Sequence, residues 1–184
     1  MSWLLSVGFA ALVAAPRLTP LPVATPLAHT PAPVSAQALL ADETRRVRST
    51  TPRITRLLAE GVRRSRTFAD LIRRIHETDV IVYIEPTFNL PVETSGRILL
   101  AATAGNHRYL RVQVRATLQG DQMIAVIAHE LRHALELAEE PSVVDEQGVA
   151  ALYRRIGDRA HGVIGYDTKA ARDAGRMVQD ELIG

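Results

Sequence analysis

The sequence contains no cysteine, which excludes a disulfide framework, an iron–sulfur cluster, a thiolate zinc ribbon and thiol catalysis. Any metal centre must therefore be built from histidine and carboxylates. Aromatic residues make up 4% of the chain and lysine is almost missing, since 21 of the 22 basic residues are arginine and one is Lys169. The net charge of +2 is too small to imply a polyanionic partner. Residues 42–79 do hold ten arginines against six acids, but they offer few aromatic rings on which bases could stack, so no nucleic-acid partner is expected. No G-x-G-x-x-G or Walker-type run occurs, which leaves no phosphate-cradling loop for a nucleotide.

Long apolar runs are also scarce. Residues 3–16, WLLSVGFAALVAAP, form an uncharged stretch of 14 residues, whereas spanning a bilayer takes about 20. It has the length of a signal-peptide core, and a proline-rich tract follows, with Pro16, Pro20, Pro22, Pro26, Pro31 and Pro33. Small residues around Val34-Ser35-Ala36-Gln37-Ala38 permit cleavage after Ala36 or Ala38. Residues 1–36 are thus read as a signal peptide or N-terminal anchor. The chain is expected to be exported, to the periplasm or beyond, with transient membrane attachment through residues 1–16 as the alternative. Residues 37–184 are long enough to bury one core and form a single domain.

Within that domain, Ile54, Leu57, Leu58 and Val62 recur at helical spacing over 53–64, as do Phe68, Leu71, Ile72 and Ile75 over 67–77, with Thr67 as the expected cap. The β-branched run Val80-Ile81-Val82-Tyr83-Ile84, closed by Pro86, predicts a buried strand. Residues 97–103 and 108–116 predict a hairpin turning at Gly105-Asn106. In the second arm Leu110, Val112 and Val114 alternate with Arg111, Gln113 and Arg115. Helices are expected over 122–139, 143–156 and 168–182, with a break over 157–165. The class is α+β: a small antiparallel or mixed sheet of about three strands packed on helices.

The chemistry lies in His129-Glu130-Leu131-Arg132-His133, an H-E-x-x-H motif on a strongly apolar helix. Residues i and i+4 stand one above the other, so both imidazoles can reach one metal ion, while the glutamate between them lies beside the open coordination position. There it can take a proton from the attacking water and return it to a leaving amine. Two histidines and a glutamate are costly in a core helix unless something satisfies them, and metal ligation does so. Arg132 points away from that face, within reach of Glu136 at i+4. His76, at a helix end, and His107, beside the hairpin turn, need no chemistry to explain them.

On this motif and the strands before it, the chain resembles the zincin metallopeptidases, in particular small gluzincin-like members. The resemblance implies a zincin-like fold, one Zn²⁺ per chain, His129 and His133 as ligands, Glu130 as general base, and a peptide or protein substrate. It also implies an edge strand that pairs with extended substrate, a place taken here by 108–116. The Gly-x-x-His continuation of metzincins is missing after His133.

A third ligand is needed to complete an open catalytic site. Glu146 matches the gluzincin preference, but a short turn after Glu140 predicts a tight antiparallel helix pair that would leave it about 6 Å off level. Asp145 suits a capping box with Ser142. Asp167 ranks first: it opens a helix whose inward stripe, Ala170, Ala171, Ala174 and Gly175, allows close helix approach. A cap role would explain Asp167 equally well, and His161 remains a further candidate. Tyr153, Tyr166 or His161 could donate a hydrogen bond to a developing oxyanion. The expected function is an exported zinc metallopeptidase. The alternative is a non-catalytic exported binding domain retaining the same fold.

Overall fold

A computed structural model describes residues 45–159 and 166–184. The expected leader over 1–36 and His161 lie outside the described residues. In chain order the elements are β1 (Val47–Arg48), α1 (Pro52–Arg64), α2 (Arg66–His76), β2 (Val80–Thr87), β3 (Gly96–Ala104), β4 (His107–Arg115), α3 (Gly120–Ala138), α4 (Glu146–Ile156), β5 (Asp158–Arg159), β6 (Tyr166–Asp167) and α5 (Lys169–Ile183). The described residues form an α+β domain with five helices, a four-stranded mixed sheet and a small β5–β6 pair. Among them no helix is long and apolar enough to cross a membrane.

The sheet has the order β1-β2-β4-β3. β1 and β4 both run parallel to β2, and β3 runs antiparallel to β4. This corrects the expectation for 108–116. That segment is an interior strand, and β3 is the edge. The hairpin itself forms as expected, with Gly105 at φ +56° in the two-residue turn, a conformation that glycine adopts without a Cβ penalty. β2 also runs past its expected end through Pro86. Pairing with β1 stops at Tyr83, so no ladder bond on that side requires the missing proline N–H.

One face of the sheet is core. Leu110, Val112 and Val114 from β4, with Val80, Val82 and Ile84 from β2, pack with Phe68, Ile72 and Ile75 of α2 and with Ile124, Ile127 and Leu131 of α3. The other face is polar and laced together. Arg97 donates to Gln113 (2.6 Å), Gln113 donates to Glu85 (2.6 Å), and Arg111 lies 3.8 Å from Glu85. Arg115 donates to the carbonyls of Pro91, Val92 and Thr94 and so fixes the loop that leads into β3.

The helix caps differ in detail from expectation. Ser65, not Thr67, caps α2, accepting from Phe68 N (2.9 Å). Asp145 caps α4 directly through Gly148 N (2.8 Å) rather than serving Ser142. Helices α3 and α4 do not form a tight antiparallel pair. The principal helical neighbour of α3 is α5, through Ala171, Ala174 and Gly175. Ala170, expected in that stripe, is exposed.

Arg108 points into the core from β4 and is 3% exposed. Its guanidinium takes both oxygens of Asp79 (2.7 and 2.8 Å) and donates to the carbonyls of Leu137, Glu140 and Val143 (2.7, 2.9 and 3.1 Å). It thereby ties the last turn of α3, at Leu137, and the loop after it, at Glu140 and Val143, to the start of β2. Arg108→Met is predicted to cost about 2 kcal/mol, because it removes the charged partner of the half-exposed Asp79 and the side-chain donor to Val143 O, while Leu137 O and Glu140 O keep backbone donors. Urea denaturation followed by circular dichroism measures this. A loss below about 1 kcal/mol would show that water replaces the clamp.

Candidate metal centre

Helix α3 buries Met123, Ile124, Ile127, Leu131 and Leu135, and the same two central turns carry His129, Glu130 and His133. The i, i+4 spacing stacks the two imidazoles with ring centroids 4.9 Å apart at 76°. Asp167 meets them from the start of α5. Its Oδ1 lies 3.3 Å from His129 Nε2 and 3.5 Å from His133 Nε2. The three ligand atoms all fall within 4.8 Å of one another. Four ligands held at about 2.0–2.1 Å in a tetrahedron stand about 3.3–3.4 Å apart. The two carboxylate–imidazole separations match that edge, so these residues could hold a metal ion.

The placement of Asp167 has a local cause. β6 pairs antiparallel with β5, with Asp158 opposite Asp167, and this delivers the chain to the first turn of α5. Thr168 is the cap, accepting from Ala171 N (3.1 Å), so Asp167 is not needed in that role. The Thr168 amide donates to Asp167 Oδ1 (2.7 Å), and Arg172 stands 3.5 Å from Oδ2 while donating to Asp158 (2.9 Å). Gly175 makes the close approach possible. A Cβ there would meet Ala125 O and His129 Cβ at 3.3 Å.

Of the other ligand candidates, Glu146 and Asp145 are exposed, and Asp145 is occupied as a cap. Neither belongs to the cluster. Tyr153 is buried beneath His133, ring to ring at 5.2 Å, and its hydroxyl donates to His133 O (3.3 Å). It therefore supports the histidine's backbone, and burial holds its phenol protonated well above the ordinary range. The Tyr166 side chain lies outside the described residues. Arg132 bonds chiefly to Glu139 (3.1 Å), with Glu136 at 4.0 Å. His107 accepts from Arg46 at 3.0 Å and is half-buried.

Sequence reasoning missed three contributors. Glu136 accepts from His133 Nδ1 (2.8 Å) and from Thr168 Oγ1 (2.6 Å). A proton on Nδ1 leaves the Nε2 lone pair for a metal, the arrangement usual around ligating histidines. The i, i+3 offset from His133 was the available signal. Gly96 is the second contributor. A Cβ there would stand 2.5 Å from Glu130 Oε1, so only glycine lets the edge strand close over the carboxyl. Nothing in the sequence pattern marks it. Arg172 is the third, positioned by α5.

Electrostatics divide the cluster. Burial and the neighbouring His133 push His129 down to about 4. For His133 burial works the same way, but the hydrogen bonds to Asp167 and Glu136 outweigh it and raise the group to about 9. Burial disfavours ionised Asp167 too, yet the two histidines hold its carboxyl below the usual range. Glu130 is 4% exposed and, among the described residues, has no hydrogen-bond partner. Burial raises it to about 7, with Asp167 adding to the rise and His133 opposing it. A carboxyl poised near neutrality beside two imidazoles has the properties of a general base.

Comparison of the chain with protein-family models, with curated proteins and with solved structures finds no match in any of the three.

The raised Glu130 group carries a stability cost with a definite sign. A folded-state value near 7 against 4.5 unfolded leaves stability intact below about pH 4.5 and lowers it as pH rises through 7. Glu130→Gln is therefore predicted to stabilise the metal-free protein at pH 8 by up to about 3 kcal/mol, with the gain vanishing near pH 4. Thermal and urea unfolding across pH 4–8 measure it. A gain independent of pH would contradict this account.

Proposed function

We propose that the chain is a zinc-dependent metallopeptidase of zincin-like fold, with residues 37–184 as its domain. The observation that carries this reading is the convergence of His129 Nε2, His133 Nε2 and Asp167 Oδ1 beside the buried Glu130. Two imidazoles and one carboxylate suit Zn²⁺ better than Mg²⁺ or Ca²⁺, which favour all-oxygen sites. Zn²⁺, when bound there, supplies Lewis-acid chemistry, polarising a substrate carbonyl and making water acidic near neutral pH.

The remaining work falls to the chain. Glu130 accepts the proton of the attacking water and returns it to the departing amide nitrogen. Among the described residues no hydrogen bond engages its carboxyl, which leaves it available for that transfer. Gly96 excludes water from one side of the carboxyl by letting β3 lie against it. Asp167 and His133 are oriented by Thr168 and Glu136. The edge of β3, unpaired among the described residues, suits an extended peptide added as a further antiparallel strand, a role that moves here from 108–116 to Gly96–Ala104. Such a strand would begin beside Glu130, at Gly96. No nucleic acid is needed in this reading, and export through residues 1–36 remains part of it. The position of Asp167 beside the two histidines supports this reading over the binding-domain alternative.

The test is cleavage of a diverse peptide library by zinc-loaded protein, read by mass spectrometry. Wild type is expected to cut. Glu130→Gln is expected to lose about 10²–10⁴ in rate while keeping its zinc. Zinc-loaded wild type that cuts no peptide would favour the binding domain, and Glu130→Gln that cuts normally would remove Glu130 as the base.

A further inference from the structure

Two segments distant in sequence carry the ligands, α3 and the end of β6 that leads into α5, and one carboxylate bridges them. Glu136 Oε2 accepts from His133 Nδ1 at 2.8 Å, and Glu136 Oε1 accepts from Thr168 Oγ1 at 2.6 Å. Thr168 in turn holds Asp167, its amide donating to Oδ1 at 2.7 Å. Asp167 Oδ1 closes the circuit 3.5 Å from His133 Nε2. Glu136 is 5% exposed and Thr168 4%, so water competes little for these bonds. The helix cap alone would not require this arrangement, because Thr168 Oγ1 needs only its lone pairs to accept from Ala171 N. Its hydroxyl proton is free to go elsewhere, and it goes to Glu136.

We propose that Glu136 is the positioning residue of the metal centre, and that its bridge from His133 to Thr168 sets the separation of the two ligand-bearing segments. One carboxylate fixes the ring orientation of His133 on α3 and the seat of Asp167 just ahead of α5. The inference rests on the metal reading above. It goes beyond it by making the site's affinity depend on a pair, Glu136 and Thr168, that touches no metal. Arg172 acts on the same ligand from the outer side, near Asp167 Oδ2, but it is more exposed and reaches only 3.5 Å. The bridge is the tighter constraint.

The experiment measures Zn²⁺ affinity of the full chain by competition with a chromogenic chelator, for wild type, Glu136→Gln, Thr168→Val, Thr168→Ser and the Glu136→Gln/Thr168→Val pair. Circular dichroism verifies folding of each. Glu136→Gln is expected to weaken zinc binding about 10–100-fold. Thr168→Val is expected to weaken it in the same direction, and Thr168→Ser, which keeps the hydroxyl, to restore wild-type affinity. The double variant should be no weaker than Glu136→Gln alone, because both changes break one bridge.

A threonine that served only as a cap would lower the unfolding temperature in Thr168→Val and leave zinc affinity unchanged. That result, or wild-type affinity in Glu136→Gln, overturns the proposal while leaving the metal centre standing. Should Glu136→Gln fail to fold, the Thr168→Val and Thr168→Ser pair decides the matter by the same criterion. Wild type that binds no zinc overturns the metal reading itself, and this inference with it.

Discussion

The domain depends on how α3 can fill the core and still carry His129, Glu130, His133 and Glu136 within two turns. Three of those side chains are 4–5% exposed. Left unpaired, each would cost several kcal/mol. The cost is met by bringing a second helix terminus against the first. Asp167 faces both imidazoles, Thr168 donates to Glu136, and Glu136 accepts from His133. Small residues on α5 make that approach possible, and Gly175 stands where any side chain would press on His129. Packing and chemistry are therefore one constraint here. The helix contact that completes the core also delivers the third candidate ligand.

Glu130 is the exception, and its isolation is informative. Its neighbours in the cluster are paired, whereas Glu130 is enclosed by Gly96 and Val126 without a hydrogen bond among the described residues. A carboxyl in that position destabilises the fold at neutral pH and is held ready to exchange a proton. Carboxyls whose burial raises them toward neutrality cluster at functional sites. The sheet contributes by its order. With β4 inserted between β2 and β3, the strand next to Glu130 has no further strand beside it among the described residues. Arg115 fixes the loop leading into that strand through the carbonyls of Pro91, Val92 and Thr94, and Arg108 ties the end of α3 to the start of β2.

Much of the site was legible in the sequence because its signals are local. The i, i+4 histidines, the glutamate between them and the apolar periodicity of α3 all lie within one helix. Asp167 was reachable because a small-residue stripe follows it and announces close helix contact. What was not legible is non-local. β1, β5 and β6 are two residues each and carry no period to detect. The sheet order turns on a parallel crossover that pairs β2 with β4, which strand propensity cannot register, so the edge was assigned to the wrong strand. The expected α3–α4 pair failed for a similar reason. A short turn limits distance but not direction, and α5 competes for the same face. Glu136 and Thr168 gain their roles only when both helices are in place.

The central claim is that two side chains of α3 and one from β6, just ahead of α5, form a single metal-binding unit. Zinc content of the full chain, measured by elemental mass spectrometry after reconstitution and gel filtration, tests it most directly when Asp167→Ala is run beside wild type. The account predicts close to one zinc per wild-type chain and none retained by the variant. Zinc retained equally by Asp167→Ala, or none bound by wild type at neutral pH, would contradict it.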